Sequence, residues 1–191
     1  MSILLTVIVL YYRRMNDDAL VSATGNDLIT SASSSKTDLE RFESSIQELI
    51  NNIGLPSSNL FVPVTEREKL VNNLRSVISQ LPSSARNRSY YISKMVAAAT
   101  VGLFDAALNY MWDELIGELR TRVANFDLNY FFDVAAGDNS SLRKQLKTED
   151  DLSNIDDARL LRASRKIGLL TTVGLARLDH IRFMRNHAYD A

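Results

Sequence analysis

The residues best equipped for chemistry lie close together near the end of the 191-residue sequence, where Arg177, His180, Arg182, Arg185, Asn186 and His187 fall within eleven positions. A guanidinium stays charged at any working pH and presents a planar fork of donors that matches a phosphate or carboxylate. An imidazole ionises near neutrality and can take or give a proton. Arginine beside histidine therefore suits phosphate binding and proton transfer without a metal. His180 and His187 are seven residues apart, which is not the i, i+4 spacing of a helical zinc pair. Isolated histidines on a helix are more often surface or packing residues than catalysts. The chain has no Cys, so disulfides, thiolate metal sites and a Cys nucleophile are excluded. No cofactor or metal is expected.

A helical wheel sharpens the reading of Arg185. At 100° per residue Gly174, Leu178, Ile181 and Ala188 share one narrow sector, and Arg185 falls inside it. Burying an unpaired guanidinium is very costly, so Arg185 needs a carboxylate, the polar surface of a second subunit or a phosphate. An internal ion pair, with Asp105 or Glu114 as candidate partners, competes with the ligand reading. The formal net charge is only −1, which gives no global drive toward nucleic acid. Charge is unevenly placed, however. Residues 159–187 carry seven Lys or Arg against one acid, Asp179, and residues 149–157 carry five acids and no base.

The elements that must position these residues read as helices. With 7 Gly and 3 Pro in 191 residues, few turns are available, and long helices are favoured over many short strands. Thr37 and Glu40 have capping-box spacing, and Leu39, Phe42, Ile46, Leu49, Ile50 and Ile53 repeat at helical intervals until Gly54 and Pro56. Thr65 and Glu68 repeat the box, followed by Leu70, Val71, Leu74, Val77, Ile78 and Leu81 before Pro82. A long helix is expected from about Asn87 to about Phe126. It is apolar on every side between Met95 and Trp112 except at Thr100, Asp105 and Asn109, as suits the centre of a bundle. Asp105, Asn109 and Asp113 align at i, i+4 and i+8, the pattern of a solvated face that could instead meet the basic segment. After Gly137 a polar, acidic connection leads to a helix over about residues 153–166 capped by Ser153 or Asp156. Gly168 breaks it, and the last helix starts at Thr171 or Thr172.

The N-terminal part reads differently. Residues 3–12 form a ten-residue apolar run, too short for the ~20 residues of a membrane span and without the flanks of a secretory signal. We read the run as peripheral, with Met15 as an alternative start, and residues 21–36 as a Ser/Thr/Ala/Gly-rich linker. Membrane attachment through residues 3–14 is the weakest of the functional readings. The expected organisation is an apolar run and linker over residues 1–36 and an all-α, up-and-down helical bundle over residues 37–191. A cytoplasmic location and no membrane partner are expected.

The stretch LLRASRKIGLLTTVGLARLDHIRFMRNHA, with AALNYMWDELIGELR and NYFFDVA upstream, resembles the HEPN superfamily of helical bundles over about residues 85–188. The resemblance implies a homodimer related to metal-independent endoribonucleases of toxin–antitoxin and antiviral (phage) defence systems, with RNA as ligand and a protein antitoxin or defence partner. It also implies an Arg that steadies the scissile phosphate and a His that handles the proton of the ribose 2′-hydroxyl. The family motif is Arg, a polar residue, three to five further residues and His. Arg185 and Asn186 match its opening, but positions 190 and 191 are Asp and Ala, and the sequence ends there. On an unbroken helix, position 192 would lie only ~20° from Arg185. Arg182 with His187 has an allowed spacing, but Phe183 is not polar and the two side chains would point ~140° apart. The resemblance therefore nominates Arg185, Asn186 and His187 as the catalytic set, with Arg182 and Arg177 as RNA contacts. Weak activity is expected of residues 1–191. The other reading is a non-catalytic helical module for dimerisation or protein interaction.

Overall fold

The computed structural model describes residues 29–187 apart from Pro82, with side chains from Thr37 onward and not at Ser84 or Ala85. The apolar run at residues 3–12, the start at Met15, and Ala188 on the wheel lie outside the described residues. Among them the chain is all helical, with no strand. The α-helices are α1 (Ile29–Asn52), α2 (Val64–Ser79), α3 (Ser83–Arg86), α4 (Tyr90–Thr100), α5 (Phe104–Ala124), α6 (Leu128–Ala136), α7 (Ser140–Gln145), α8 (Asp157–Lys166) and α9 (Thr172–Asn186). A 3-10 helix, Glu149–Asn154, precedes α8.

Helix α5 is the spine. At 1.5 Å per residue its 21 residues span roughly 31 Å, enough to serve two cores. Its N-terminal end contributes Ala107 to a small core with Leu74 of α2 and Met95, Ala98 and Ala99 of α4. The rest of it lines a larger core, in which Trp112, Leu115, Ile116, Leu119 and Val123 meet Phe131 and Phe132 of α6, Leu160 and Leu161 of α8, and Leu178 and Ile181 of α9. The half-buried Met111 packs against both cores. Alanines at 98, 99 and 107 let α4 and α5 approach closely, and these two helices form the most extensive helix pair.

Four expectations need correction. Helix α1 is already formed at Ile29, inside the expected linker, so Thr37 is an interior residue and no capping box starts the helix there. Pro63, not Thr65, occupies the N-cap of α2, without a side-chain cap bond. Proline lacks the N–H that a helix start cannot use and brings a preset φ. The single helix expected from about Asn87 is two, because Gly102 takes φ +83°, a left-handed conformation open to glycine at little cost. The connection after Gly137 is more ordered than its polarity implied. Leu146, Leu152 and Ile155 are fully buried there, and Asp151 accepts N–H bonds from Lys147 and Thr148, both at 2.8 Å.

Gly102 is also a point of close approach. A Cβ there would sit 2.5 Å from Arg67 Nε. Arg67 is buried and grips Glu43 of α1 through both terminal nitrogens, while its Nε donates to the Val62 carbonyl. This ion pair ties α1 to α2 and to the α4–α5 turn. Arg67 falls inside the apolar stripe of α2, four before Val71 and seven before Leu74, so the wheel places it inward, but spacing along α2 alone could not name Glu43 as its partner.

Several expectations match. Asp156 caps α8 by accepting from the Arg159 N–H at 2.9 Å. Gly168 breaks the chain at φ +82°, and Thr171 caps α9 by accepting from the Gly174 N–H at 3.0 Å. Asp105 and Asp113 are exposed, so their line on α5 is a solvated face.

Candidate anion site at the meeting of α5, α8 and α9

Gly174, Leu178 and Ile181 are buried on one face of α9, and Arg185 follows them in its last turn. The burial of that face decides where the guanidinium goes. It is drawn over the ring of Trp112, 5.2 Å from guanidinium carbon to ring centroid, within reach of a cation–π attraction. Its Nη1 lies 3.5 Å from Asp157 Oδ2, and the two side chains retain 26% and 25% of their surface. The inward carboxylate partner is therefore Asp157, in the first turn of α8, and not Asp105 or Glu114. Glu114 is engaged elsewhere, accepting from Ser89 Oγ at 2.6 Å.

Asp157 is the hub of this arrangement. The indole N–H of Trp112 donates to Oδ2 at 2.7 Å, and Nη2 of Arg120 stands 3.8 Å from Oδ1. Two guanidinium groups thus flank one carboxylate, leaving a local charge of one positive unit. Arg120 Nε is buried with no hydrogen-bond partner among the described residues. A partly exposed cationic cluster of this kind can accept one more anion, with a phosphate oxygen completing the donors.

Arg185 Nε and Nη2 donate to Asn186 Oδ1 at 3.2 and 3.1 Å. Asn186 thus holds the fork in one plane, and its amide must release those donors when an anion takes them. His187 faces elsewhere. Its ring stacks on Phe183 at a centroid distance of 4.1 Å, and Nδ1 lies 2.8 Å from the Phe183 carbonyl oxygen. The structure therefore brings Arg185 and Asn186 together and leaves the His187 ring with Phe183. Arg182 is paired with Asp179, 3.2 Å from Nη2 to Oδ1. Arg177 is half-buried on α9. Helix α9 ends at Asn186, with His187 as its C-cap.

Sequence reasoning missed Asp157, Trp112 and Arg120. The acidic run ahead of the basic segment was the one available signal, since its last member, Asp157, meets the basic cluster's last Arg. Trp112 was read as bundle core, which it is, but the polar use of its N–H depends on a fold-dependent neighbour. No group of three or more His, Asp or Glu side chains among the described residues is placed to hold a metal ion. No helix of the described residues is long and apolar enough to cross a membrane. No family model matches the sequence, and no curated protein or solved structure matches it significantly.

Proposed function

We propose that this chain is a HEPN-type helical domain that works as a homodimer and binds an RNA backbone phosphate at Arg185, in the setting of toxin or phage-defence ribonucleases. The observation that carries the reading is the half-buried Arg185 guanidinium, oriented by Trp112, Asp157 and Asn186 beside a second guanidinium, Arg120. A charge held this way is pre-organised, so little side-chain entropy is lost when a phosphate arrives. Arg177, half-buried, and Arg182, paired with Asp179, are the further cations of the same helix that RNA could engage.

Cleavage by residues 1–191 is expected to be weak. Phosphate-steadying and proton-handling groups must meet at one ribose, and the His187 ring is committed to Phe183. The domain then acts chiefly by holding RNA, or by presenting its surface to a protein antitoxin or defence partner. The exposed apolar residues of α1, namely Phe42, Leu49 and Ile53, favour the second reading of a non-catalytic interaction module.

Fluorescence anisotropy with a labelled single-stranded RNA, run beside a gel assay for cleavage, separates these readings. Arg185→Lys keeps the charge but loses the planar fork. A lost charge-assisted contact is worth about 1.5–3 kcal/mol, so affinity should fall roughly ten- to a hundredfold with the fold intact. Equal binding by wild type and Arg185→Lys, or no binding by either, overturns the phosphate reading. Strong cutting by wild type overturns the reading of His187.

A further inference from the structure

We propose that α1 is a homodimerisation helix, whose seam of Phe42, Ile46, Leu49 and Ile53 packs against the same seam of a second copy of this chain. These residues follow one another at intervals of four, three and four, and Leu39 stands three before Phe42. Alternating threes and fours make the apolar repeat by which one helix seats its side chains between those of another. A helix that lies on a core shows the same repeat, so what singles out α1 is that Phe42, Leu49 and Ile53 stay exposed.

The orientation of α1 fixes which side is left open. Arg67 holds Glu43 against α2, so the helix cannot roll about its axis without breaking that pair. At 100° per residue, Phe42, Leu49 and Ile53 share a sector about 40° wide, centred about 100° from Glu43. Leu39, Ile46 and Ile50 lie between that sector and Glu43, and they are half-buried. Phe42, Leu49 and Ile53 retain 61%, 61% and 63% of their surface. Leu55, just past the helix, keeps 55%. Helix α1 packs far less extensively on the domain than α4 does on α5.

Charge favours a second copy as the occupant. Along residues 42–53 the seam is bordered on its outer side by Ser45 and Asn52, which are uncharged. Glu40, Arg41 and Glu48 point away from the seam, and Asp38 at its N-terminal edge is paired with Arg41 at 3.5 Å. Two identical seams thus meet without like charges facing each other, the usual obstacle to self-association. A strongly basic partner segment would find no acidic border to recognise.

Area bounds the expected strength. Three side chains that keep about three-fifths of their surface offer roughly 100 Å² each. With Leu55, Leu39 and Ile46 included, two copies cover about 1,000 Å² in all, the threshold for a specific contact. A contact of that size is at the weak end of specific association, and area alone does not set its affinity. The seam names a surface for the homodimer proposed above, but it is argued from α1 alone and shares no residue with the Arg185 site. Failure here is therefore distinguishable from failure of RNA binding.

Sedimentation velocity of the full chain across 5–200 μM (about the range in which such a contact titrates) tests the seam. Wild type should pass from monomer to dimer, while Phe42→Glu with Leu49→Glu should remain monomeric with unchanged helicity. Phe183→Glu on α9 should leave the dimer intact. Because the chain has no cysteine, Asn52→Cys places a single thiol beside the seam. A short bis-maleimide should join two copies of it, and should not do so once Leu49→Glu is added. A monomeric wild type overturns the inference. So does a dimer that survives the α1 changes, or one that is lost on removing residues 1–28 while α1 is intact.

Discussion

At the scale of single residues, Asp157 sets how available the cationic site is. It shares its carboxylate among Trp112, Arg120 and Arg185. Asp157→Asn keeps an acceptor for the indole N–H and removes the competing negative charge. RNA affinity should therefore rise several-fold at low salt and converge with wild type as salt screens the difference. Anisotropy at two salt concentrations checks this; weaker binding by the variant would mean that Asp157 positions Arg185 more than it neutralises it. Asp151 gives a separate, pH-linked prediction. Its carboxyl sits below the ordinary value of 3.8, chiefly because the Thr148 and Lys147 backbone N–H groups bond to the charged form. The folded pKa is depressed, so the stabilisation is present above the unfolded value and is lost as pH falls through the folded one. The stability gap between wild type and Asp151→Asn should be constant from pH 5 to 7 and close below about pH 4. Urea melts at stepped pH read this, and a gap that widens in acid would contradict it.

At the scale of elements, the buried pair of Arg67 and Glu43 joins α1 to the remainder of the domain. Breaking a buried pair strands a charge and costs about 3–5 kcal/mol, whereas replacing both partners with apolar residues is often neutral. Arg67→Ala should therefore be severely destabilising in urea, and Arg67→Met with Glu43→Leu should recover most of the loss. Gly102→Ala attacks the same place by another route, since φ +83° strains an alanine and its Cβ meets the guanidinium; about 2–4 kcal/mol is expected. If the double substitution were as damaging as Arg67→Ala, packing rather than charge would hold the joint.

The elements also show what was legible in the sequence. Apolar periodicity located the buried face of α2 at Leu74 and Val77 and that of α9 at Leu178 and Ile181, because burial needs the repeat. Helix ends were legible at Asp156, Thr171 and Gly168, where a side chain or a positive φ does the work locally. They were not legible at Thr37 and Thr65, where capping-box spacing occurs without the helix starting there. One glycine in an apolar run hid the division between α4 and α5, since Gly102 could have been a tolerated interior residue. Arg185 was legible as an inward charge, but its partner was not. The wheel reports direction along one helix, and Asp157 reaches the site only through the packing of α8 on α9.

At the scale of the whole molecule, α5 runs through both cores and Met111 packs against each. One core cannot melt without baring the helix that builds the other. Unfolding followed by tryptophan emission and by far-ultraviolet circular dichroism should give coincident transitions. Separate midpoints would mean that the α2–α4 core is an independent unit. The same continuity brings the functional account to one probe, because the sequence has a single tryptophan, Trp112, and it lies under Arg185.

The most direct measurement is therefore the emission of Trp112 during titration with an unlabelled single-stranded RNA. A phosphate that takes the Arg185 donors must change the charge above the indole ring. The account predicts a saturable change in emission, weakened about tenfold or more by Arg185→Lys and retained in Phe42→Glu. An emission spectrum that stays flat while anisotropy reports RNA bound would place the RNA elsewhere on the molecule and contradict the account.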